Sequence, residues 1–293
     1  MNPTRVIQVE SSDDPRSHPR NDPRLSALVN LKDADLRRAD LAGSRPVFVA
    51  EGELVVGRLI RSRYPIRTLL VAQSRLERTL PLIHSLPEDS PVFVASDKVM
   101  DEIVGFHFHQ GLLAAAERLP PPHWKELAQT CRTLVIAENL ANHDNVGGLF
   151  RDVAVLGGPS CGVLLSPGCC DPLYRKSVRV SMGNVLSVPF AWANPWPDVL
   201  AELATMVWDV LALTPREGAR DIREIEAAGA GESGRRRAIL LGAEGPGLSE
   251  EALAKATQWV RIGMAPGADS LNVAVAGAVA IHRLVDPGCS ASV

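Results

Sequence analysis

Short apolar runs separated by helical stretches dominate the second half of the chain. The runs are TLVIAE (133–138), CGVLLS (161–166), VLSVPF (185–190), VWDVLALT (207–214), AILLGA (238–243) and QWVRIGM (258–264). Strands that are apolar along their whole length are typical of a parallel sheet covered by helices on both faces. The pattern therefore predicts an α/β domain over residues 131–286, with each run as a strand.

Two helical stretches in this half differ in the width of their apolar face. A helix over 146–157 places Val146, Leu149 and Val153 on one face and leaves Arg151 at its edge. Residues 270–285 are rich in small side chains and apolar nearly all round. Such a helix must be buried, either in the core or against another subunit.

The first half predicts a smaller α/β domain over residues 23–119. A strand leads into a helix over 47–60, and further strands are expected in 66–72, 91–96 and 110–117. Three consecutive prolines at 120–122 exclude helix and central strand, so residues 120–130 are predicted to be a linker. The polar segment 1–22 is expected to be a disordered leader and 287–293 a tail.

Composition excludes several classes of protein. Apolar residues make up 46% and charged residues 22% of the 293 residues, as in globular proteins, and no run of about eighteen apolar residues occurs. The five cysteines show no CxxC spacing, which argues against a disulfide framework or a zinc ribbon. We expect free thiols, a cytoplasmic location, no membrane association and no metal.

The charge distribution is uneven although the net charge is only −3. Six arginines and one acid lie between Arg58 and Arg78, and Arg58, Arg61 and Arg63 are candidates for RNA contact. A local basic face can attract RNA even when the whole chain is slightly acidic. A solvated helix face explains the same pattern equally well.

Three loops follow apolar runs, at the strand ends where open α/β sheets bind ligands. The first begins ENLANHDNVGGLFR at Glu138, the second ILLGAEGPGLSEE at Ile239 and the third IGMAPGADSLNV at Ile262. A dinucleotide-binding fingerprint would follow the first strand of the domain, and a P-loop would end in GK and a hydroxyl residue. The late GAEGPG run fits neither, so a nicotinamide enzyme is a poor interpretation.

Taken together, the loops resemble the three motifs of the SpoU/TrmH RNA methyltransferases of the SPOUT superfamily. The matching residues are Asn145, Gly147 and Arg151 in the first, Gly242, Glu244, Gly245, Gly247, Leu248 and Ser249 in the second, and Ser270, Leu271, Asn272 and Val273 in the third. The connecting segment CCDPLYRKSVRVSMGNVLSVPF is also similar, including Arg179. Departures at Asn142, His143, Asp152 and Ala243 weaken any inference about which RNA is modified.

The resemblance implies a site and a reaction. The reaction is methylation of a ribose 2′-hydroxyl in RNA, with ribosomal RNA as the expected target and S-adenosylmethionine as the donor. The cofactor set it implies is Thr214, Gly242, Glu244, Gly245, Gly247, Ile262, Met264, Ser270 and Leu271. The catalytic set is Arg151, Asn145, Glu244, Ser270 and Asn272, and Arg151 and Arg179 join the three N-terminal arginines as RNA contacts.

The resemblance also implies architecture. The C-terminal helix is expected to thread a deep trefoil knot, and the knotted domain to form a homodimer. The AEGELVVGRLI and GFHFHQGLLA segments are similar to the family's accessory RNA-binding domain, which resembles a small ribosomal protein.

Several assignments stay open at this point. Arg151 could act as an unusual neutral base or anchor an RNA phosphate, and the anchor is favoured because an arginine side chain resists deprotonation. Asn145 and Ser270 could be ordinary helix N-caps, and Glu244 a solvated turn carboxylate. His107 and His109 alternate as on one strand face, where packing or RNA contact is favoured over a metal. A tRNA methyltransferase and an inactive RNA-binding regulator remain alternative functions.

Overall fold

The computed structural model describes residues 6–12, 14, 17–29, 46–87, 90–225 and 236–285. The chain divides into two compact units. The N-terminal unit comprises residues 1–119 and 173–186, and the C-terminal unit comprises residues 120–172 and 187–293. The segment 173–186 was predicted to belong to the second domain, but its contacts place it in the first.

The N-terminal unit is a mixed α/β fold, as predicted. Its strands are β1 (Val6–Val9), β2 (Val47–Glu51), β3 (Ile66–Ala72), β4 (Val92–Ala95) and β5 (Leu112–Glu117), and its helices are α1 (Glu53–Ile60), α2 (Leu76–His84), α3 (Asp97–Val104) and α6 (Arg175–Val180). The sheet order is β1-β4-β3-β5-β2, with β5 antiparallel to both its neighbours. The strand and helix predicted over 47–60 are confirmed.

Strand β1 lies inside the segment predicted to be a disordered leader. It pairs in parallel with β4, from Val6 opposite Val92 to Val9 opposite Ala95. Four residues are too few to show a period, and the strand exists because β4 offers an unpaired edge. The leader assignment is therefore wrong for residues 6–9, whereas residues 1–5 and the tail 287–293 lie outside the described residues.

The C-terminal unit contains the predicted parallel sheet. Its strands are β6 (Thr133–Ala137), β7 (Cys161–Leu165), β8 (Phe190–Trp192), β9 (Trp208–Leu213), β10 (Arg220–Asp221), β11 (Arg236–Leu241) and β12 (Gln258–Arg261), and its helices are α4 (Trp124–Thr130), α5 (His143–Asp152), α7 (Asp198–Thr205), α8 (Glu250–Lys255) and α9 (Val273–Leu284). The order is β10-β12-β9-β11-β6-β7-β8, and all these pairs are parallel. Strands β6 and β7 are buried along their whole length, which explains their unbroken apolar sequence.

Two predicted boundaries in this region are wrong. The run VLSVPF was expected to be one strand, but residues 184–186 form a 3₁₀ turn and β8 begins only at Phe190. Pro189 precedes it and cannot donate a ladder hydrogen bond. The predicted linker 120–130 contains α4, whose Trp124, Leu127 and Ala128 are buried in the core of the C-terminal unit.

Helices α5 and α9 pack closely against each other in the C-terminal unit. A Cβ atom on Gly277 would lie 2.9 Å from Leu149 Cδ1, and one on Gly148 would lie 3.1 Å from Ala274 Cβ. Small residues in α9 therefore serve close approach to α5. The predicted helix 146–157 continues from α5 into a π-helical turn at Val153–Gly157.

The described cysteines are free thiols: Cys131, Cys161, Cys169 and Cys170. Burial raises the pKa of Cys161 to about 12, so this thiol stays protonated and unreactive at neutral pH. Within the described ranges, the helices are all too short or too polar to span a bilayer.

Candidate functional site

A cavity of about 590 Å³ opens at the carboxyl ends of β9, β11 and β12. Its volume lies within the range of roughly 300–1,000 Å³ that is usual for small-molecule sites. All nine residues predicted to hold the cofactor line it: Thr214, Gly242, Glu244, Gly245, Gly247, Ile262, Met264, Ser270 and Leu271. The second and third loops thus converge on one cavity, because parallel strands end at the same edge of the sheet.

Asn272 connects all three loops. Its Nδ2 donates to Asn145 Oδ1 in the first loop at 2.9 Å and to Glu244 Oε1 in the second at 2.6 Å. Its Oδ1 accepts from the backbone N–H groups of Ala274 and Val275, which makes Asn272 the N-cap of α9. Every polar atom of this side chain is therefore used, so its position and that of the loops depend on one another.

The N-cap interpretations of Asn145 and Ser270 are wrong. Asn142 caps α5, by accepting from the Asp144 N–H at 2.8 Å, and Asn145 lies inside the helix with its side chain buried against Asn272. Ser270 lies two residues before the cap of α9, exposed in the cavity wall. Glu244 is exposed but accepts from Asn272, so it is more than a solvated turn carboxylate.

Gly242 is the point where the second loop folds back on itself. An added Cβ would lie 2.3 Å from the Gly247 carbonyl carbon and 2.4 Å from the Leu248 nitrogen. These are backbone atoms, and an antiparallel bridge between Ala243 and Gly247 holds them in place. Only glycine permits this close approach, which is how the loop presents backbone groups to the cavity.

Glu138 is a residue that the sequence analysis did not assign. It directly follows β6, is only 1% exposed, and accepts from Ser249 N at 2.9 Å, Ser249 Oγ at 2.6 Å and Trp196 Nε1 at 2.9 Å. Ser249 in turn caps α8. The carboxylate therefore ties the end of the second loop to the central strand. The sequence feature that could have identified Glu138 is an acidic residue directly after an apolar strand.

We expect Glu138→Ala to lower the free energy of unfolding of the protein by about 3 kcal/mol, because the Trp196 Nε1–H, the Ser249 hydroxyl and the Ser249 backbone N–H all lose the buried carboxylate that accepts from them. Urea denaturation followed by circular dichroism measures this. Glu138→Gln is the matched control: it keeps the volume and one acceptor oxygen and should lose less. Equal stability of Glu138→Ala and the wild type would contradict the assigned role.

The charge of the cavity wall suits a cationic ligand. Glu244 and Asp269 both line it, and the cation beside them, Arg216, is paired with Glu250 through an Nη1–Oε2 contact of 2.8 Å. This pairing lowers the pKa of Glu250 and raises that of Arg216. The cavity therefore carries an excess of carboxylate charge.

Arg151 lies apart from the cavity lining. It is exposed in the last turn of α5, and among the described residues no hydrogen bond or ion pair engages its guanidinium. Burial raises the pKa of the neighbouring Asp152, and the Arg151 charge opposes that rise. Of the predicted catalytic residues, the structure brings Asn145, Glu244, Ser270 and Asn272 to the cavity or into hydrogen bonding beside it, and Arg151 is outside this group.

The sequence profile of the SpoU rRNA Methylase family matches residues 132–282, which contain all three loops. The chain belongs to the SpoU family. It is an RNA methyltransferase of that family, and the resemblance drawn from the motifs is confirmed.

Individual relatives support the assignment to this family. The chain is similar to a Mycobacterium tuberculosis protein described as an uncharacterized tRNA/rRNA methyltransferase, with 40% identity over 92% of this chain and 90% of the relative. It is 26% identical to the 23S rRNA (guanosine-2′-O-)-methyltransferase RlmB of Acinetobacter baylyi, over 74% of this chain and 88% of the relative. The fold matches an AdoMet-bound rRNA methyltransferase from Sinorhizobium meliloti with a TM-score of 0.71 and 24% identity, covering 95% and 97% of the two chains.

The N-terminal unit of this SpoU methylase presents a smaller basic face than predicted. Arg67 pairs with Glu117 at 3.4 Å and Arg78 with Glu53 at 2.8 Å, and both acids lie outside the arginine-rich window. Arg61 and Arg63 are exposed. The remaining two predicted RNA contacts have partners: Arg58 Nη1 donates to the Met182 carbonyl at 2.6 Å and Arg179 Nη1 to Glu51 at 3.0 Å.

His107 and His109 lie side by side, with ring centroids 4.1 Å apart. They are in the loop before β5 rather than on a strand face, so the alternation predicted from their spacing is wrong. Throughout the part of the chain that the structure describes, three or more His, Cys, Asp or Glu side chains do not gather into a group that could hold a metal ion.

Proposed function

We propose that this protein transfers the methyl group of S-adenosylmethionine to a ribose 2′-hydroxyl of ribosomal RNA. The observation that carries the proposal is the Asn272 amide, which joins the first and second loops beside the cavity. One cavity therefore has backbone-rich walls for a donor and hydrogen-bonding side chains for an acceptor.

The size, the lining and the charge of the cavity support S-adenosylmethionine as the donor. Gly242, Gly245 and Gly247 present backbone groups, and Ile262, Met264 and Leu271 supply apolar walls for an adenine ring. The Glu244 and Asp269 carboxylates would favour its cationic groups. When bound, S-adenosylmethionine supplies an electrophilic methyl group on a sulfonium centre. The chain's residues orient that group and exclude water from it.

Arg151 would act on the incoming RNA. A ribose hydroxyl is a weak nucleophile, and an arginine resists deprotonation. We therefore favour a guanidinium that binds the phosphate next to the target ribose and stabilises charge as the hydroxyl attacks. Asn145 and Asn272 would fix the orientation of the loops, and Glu244 and Ser270 would contact donor or ribose.

Ribosomal RNA is proposed as the substrate because RlmB, a relative along 74% of this chain, is named for methylating 23S rRNA. Transfer RNA is the second candidate, because the name of the mycobacterial relative includes both RNAs. A regulator that binds RNA without catalysis is disfavoured by the complete set of Asn145, Arg151, Glu244 and Asn272.

Two measurements test the proposal. Calorimetry should detect S-adenosylmethionine binding to the wild type, and the donor's tritiated methyl group should appear in ribosomal RNA from a strain that lacks the gene. Nuclease mapping should then place it on a ribose. Binding without transfer would favour the regulator, transfer to tRNA the second candidate, and absence of binding would refute the enzyme.

Helix α9 also supports a proposed homodimer. One of its faces packs on α5, while Val275 and Val279 on another face are 49% and 38% exposed in the single chain. Exposed valines along one helix are typical of a subunit interface. The trefoil knot and the ribosomal-protein-like character of the N-terminal unit are likewise proposed from the family resemblance.

We expect Val275→Glu to convert a dimer into a monomer in sedimentation velocity, because a charge would be buried at the interface. Val207→Glu changes a valine that is 57% exposed elsewhere in the C-terminal unit and should leave the dimer intact. A wild-type monomer with full activity would exclude the dimer.

A further inference from the structure

The second loop is held at both of its ends by one residue, Glu138. The Glu138 backbone N–H donates at 2.8 Å to the carbonyl of Leu241, which is the last residue of β11. The Glu138 side chain accepts from Ser249, the residue that follows the loop: Oε2 accepts from the backbone N–H at 2.9 Å and Oε1 from the hydroxyl at 2.6 Å. Residues 242–248 are therefore closed into a loop by contacts with a single residue of the central strand's end.

The contacts of the Glu138 carboxylate also fix the direction in which the chain leaves the loop. The Ser249 hydroxyl donates to Glu138 and accepts from the Ala252 N–H at 3.2 Å, so the same oxygen caps α8. Trp196 Nε1 donates to Glu138 Oε1 at 2.9 Å from the loop after β8. All three groups that contact the carboxylate are donors. A carboxylate can accept from all of them, whereas a glutamine amide has only one acceptor oxygen.

The loop between the two anchor points forms one wall of the cavity. Residues 241–248 all line it, whereas Glu138 and Ser249 are not among the described residues that do so. Within the loop, Gly245 and Gly247 have positive φ angles of 86° and 72°. Glycine has more conformational freedom than any other residue, so a glycine-rich loop keeps one conformation only where its ends are fixed. The anchor at Glu138 supplies that restraint from behind the wall.

We propose that Glu138 is a positioning residue for the methyl donor: it keeps the second loop in its binding conformation without touching the ligand. The inference depends on the proposed function, because it assumes that the cavity binds S-adenosylmethionine. A loop that is ordered in advance spares the donor the cost of ordering it on binding. Loss of the anchor should therefore weaken donor binding, and a bound donor should restore the loop and with it the rate of transfer.

Two variants weaken the anchor without emptying the core. Glu138→Gln must turn its NH2 group either towards the Ser249 N–H or towards the other two donors, and Ser249→Ala removes the hydroxyl. We expect each variant to raise the Kd for S-adenosylmethionine by about tenfold in titration calorimetry, because the ordering cost returns. Ser249→Thr keeps a hydroxyl at an exposed position and should bind the donor more tightly than Ser249→Ala.

Leu127→Ala is the control for a general loss of stability. Leu127 is buried in the core of the same unit, and its Cδ1 lies 3.2 Å from the position of a Cβ atom built on Gly162, near the amino end of β7. The cavity opens at the carboxyl ends of the strands, so this site is at the opposite edge of the parallel sheet. The truncation leaves a hole in the core and lowers stability, but it should change the Kd for the donor by less than about twofold.

Turnover separates a positioning role from a catalytic one, with each variant measured at a temperature where circular dichroism shows it to be folded. For Glu138→Gln, KM for the donor should rise while kcat at saturating donor stays near that of the wild type. If Glu138→Gln binds the donor like the wild type, or if Leu127→Ala raises the Kd equally, the positioning role is refuted and the enzyme assignment stands. A wild type that binds no S-adenosylmethionine refutes the proposed function itself.

Discussion

Arg151→Ala is expected to lower the rate of methyl transfer by at least about 100-fold while leaving the affinity for S-adenosylmethionine unchanged. The size is that of losing one electrostatic contributor to the transition state. The unchanged affinity follows from position, because Arg151 is exposed in the last turn of α5 and does not line the cavity. Single-turnover kinetics with saturating RNA and donor, together with calorimetry, measure both quantities.

Two further variants show how a loss of methyl transfer in Arg151→Ala should be interpreted. Arg151→Lys keeps the charge and loses the planar fork, so a phosphate anchor predicts partial activity. Arg220→Ala removes another exposed arginine of the same unit, paired with Glu224 at 3.5 Å, and should have wild-type activity. Near-normal turnover of Arg151→Ala would remove this residue from the mechanism.

Gly242→Ala is expected to abolish measurable cofactor binding and to lower the free energy of unfolding by about 2 kcal/mol. The added Cβ would overlap the backbone at Gly247 and Leu248, so the second loop must move and the cavity wall with it. Titration calorimetry and urea denaturation measure the two effects.

Gly263→Ala is the matched control at the same edge of the sheet. There the nearest atoms to a new Cβ are the side-chain atoms Arg223 Nη2 and Asp221 Oδ2, both at 3.3 Å, which can move. This variant should retain binding. If Gly242→Ala binds the cofactor like Gly263→Ala, the close approach at Gly242 does not shape the site.

The motifs and the periodicity predicted much of the site because they depend on local chemistry. Gly242 and Asn272 could be identified from their loops, and the fully apolar runs identified β6, β7, β9 and β11. Two of the errors have a common cause. Strand β1 and helix α4 are decided by partners distant in the chain, which are β4 for β1 and the C-terminal core for Trp124.

Glu138 and Arg151 show that the candidate site, too, divides into features visible in the local sequence and features set by distant contacts. The sequence displays an acid after an apolar strand and an arginine at a helix edge, but it does not show that the acid binds Ser249 or that the arginine lies outside the cavity. Hydrogen bonds between residues 111 positions apart depend on how the sheet orders its strands.

By itself, the amino-acid sequence determined the family, the parallel sheet and the three loops that we propose carry its chemistry, because strand burial and glycine turns are encoded within a few neighbouring residues. Only the tertiary structure decided that Asn272 unites the loops, that acids from outside the arginine-rich window reduce the basic face, and that Glu138 holds both ends of the second loop. Each of these features depends on contacts between segments that are far apart in the chain. A short stretch of sequence does not show which distant segment it will meet, so these contacts could not be predicted from it.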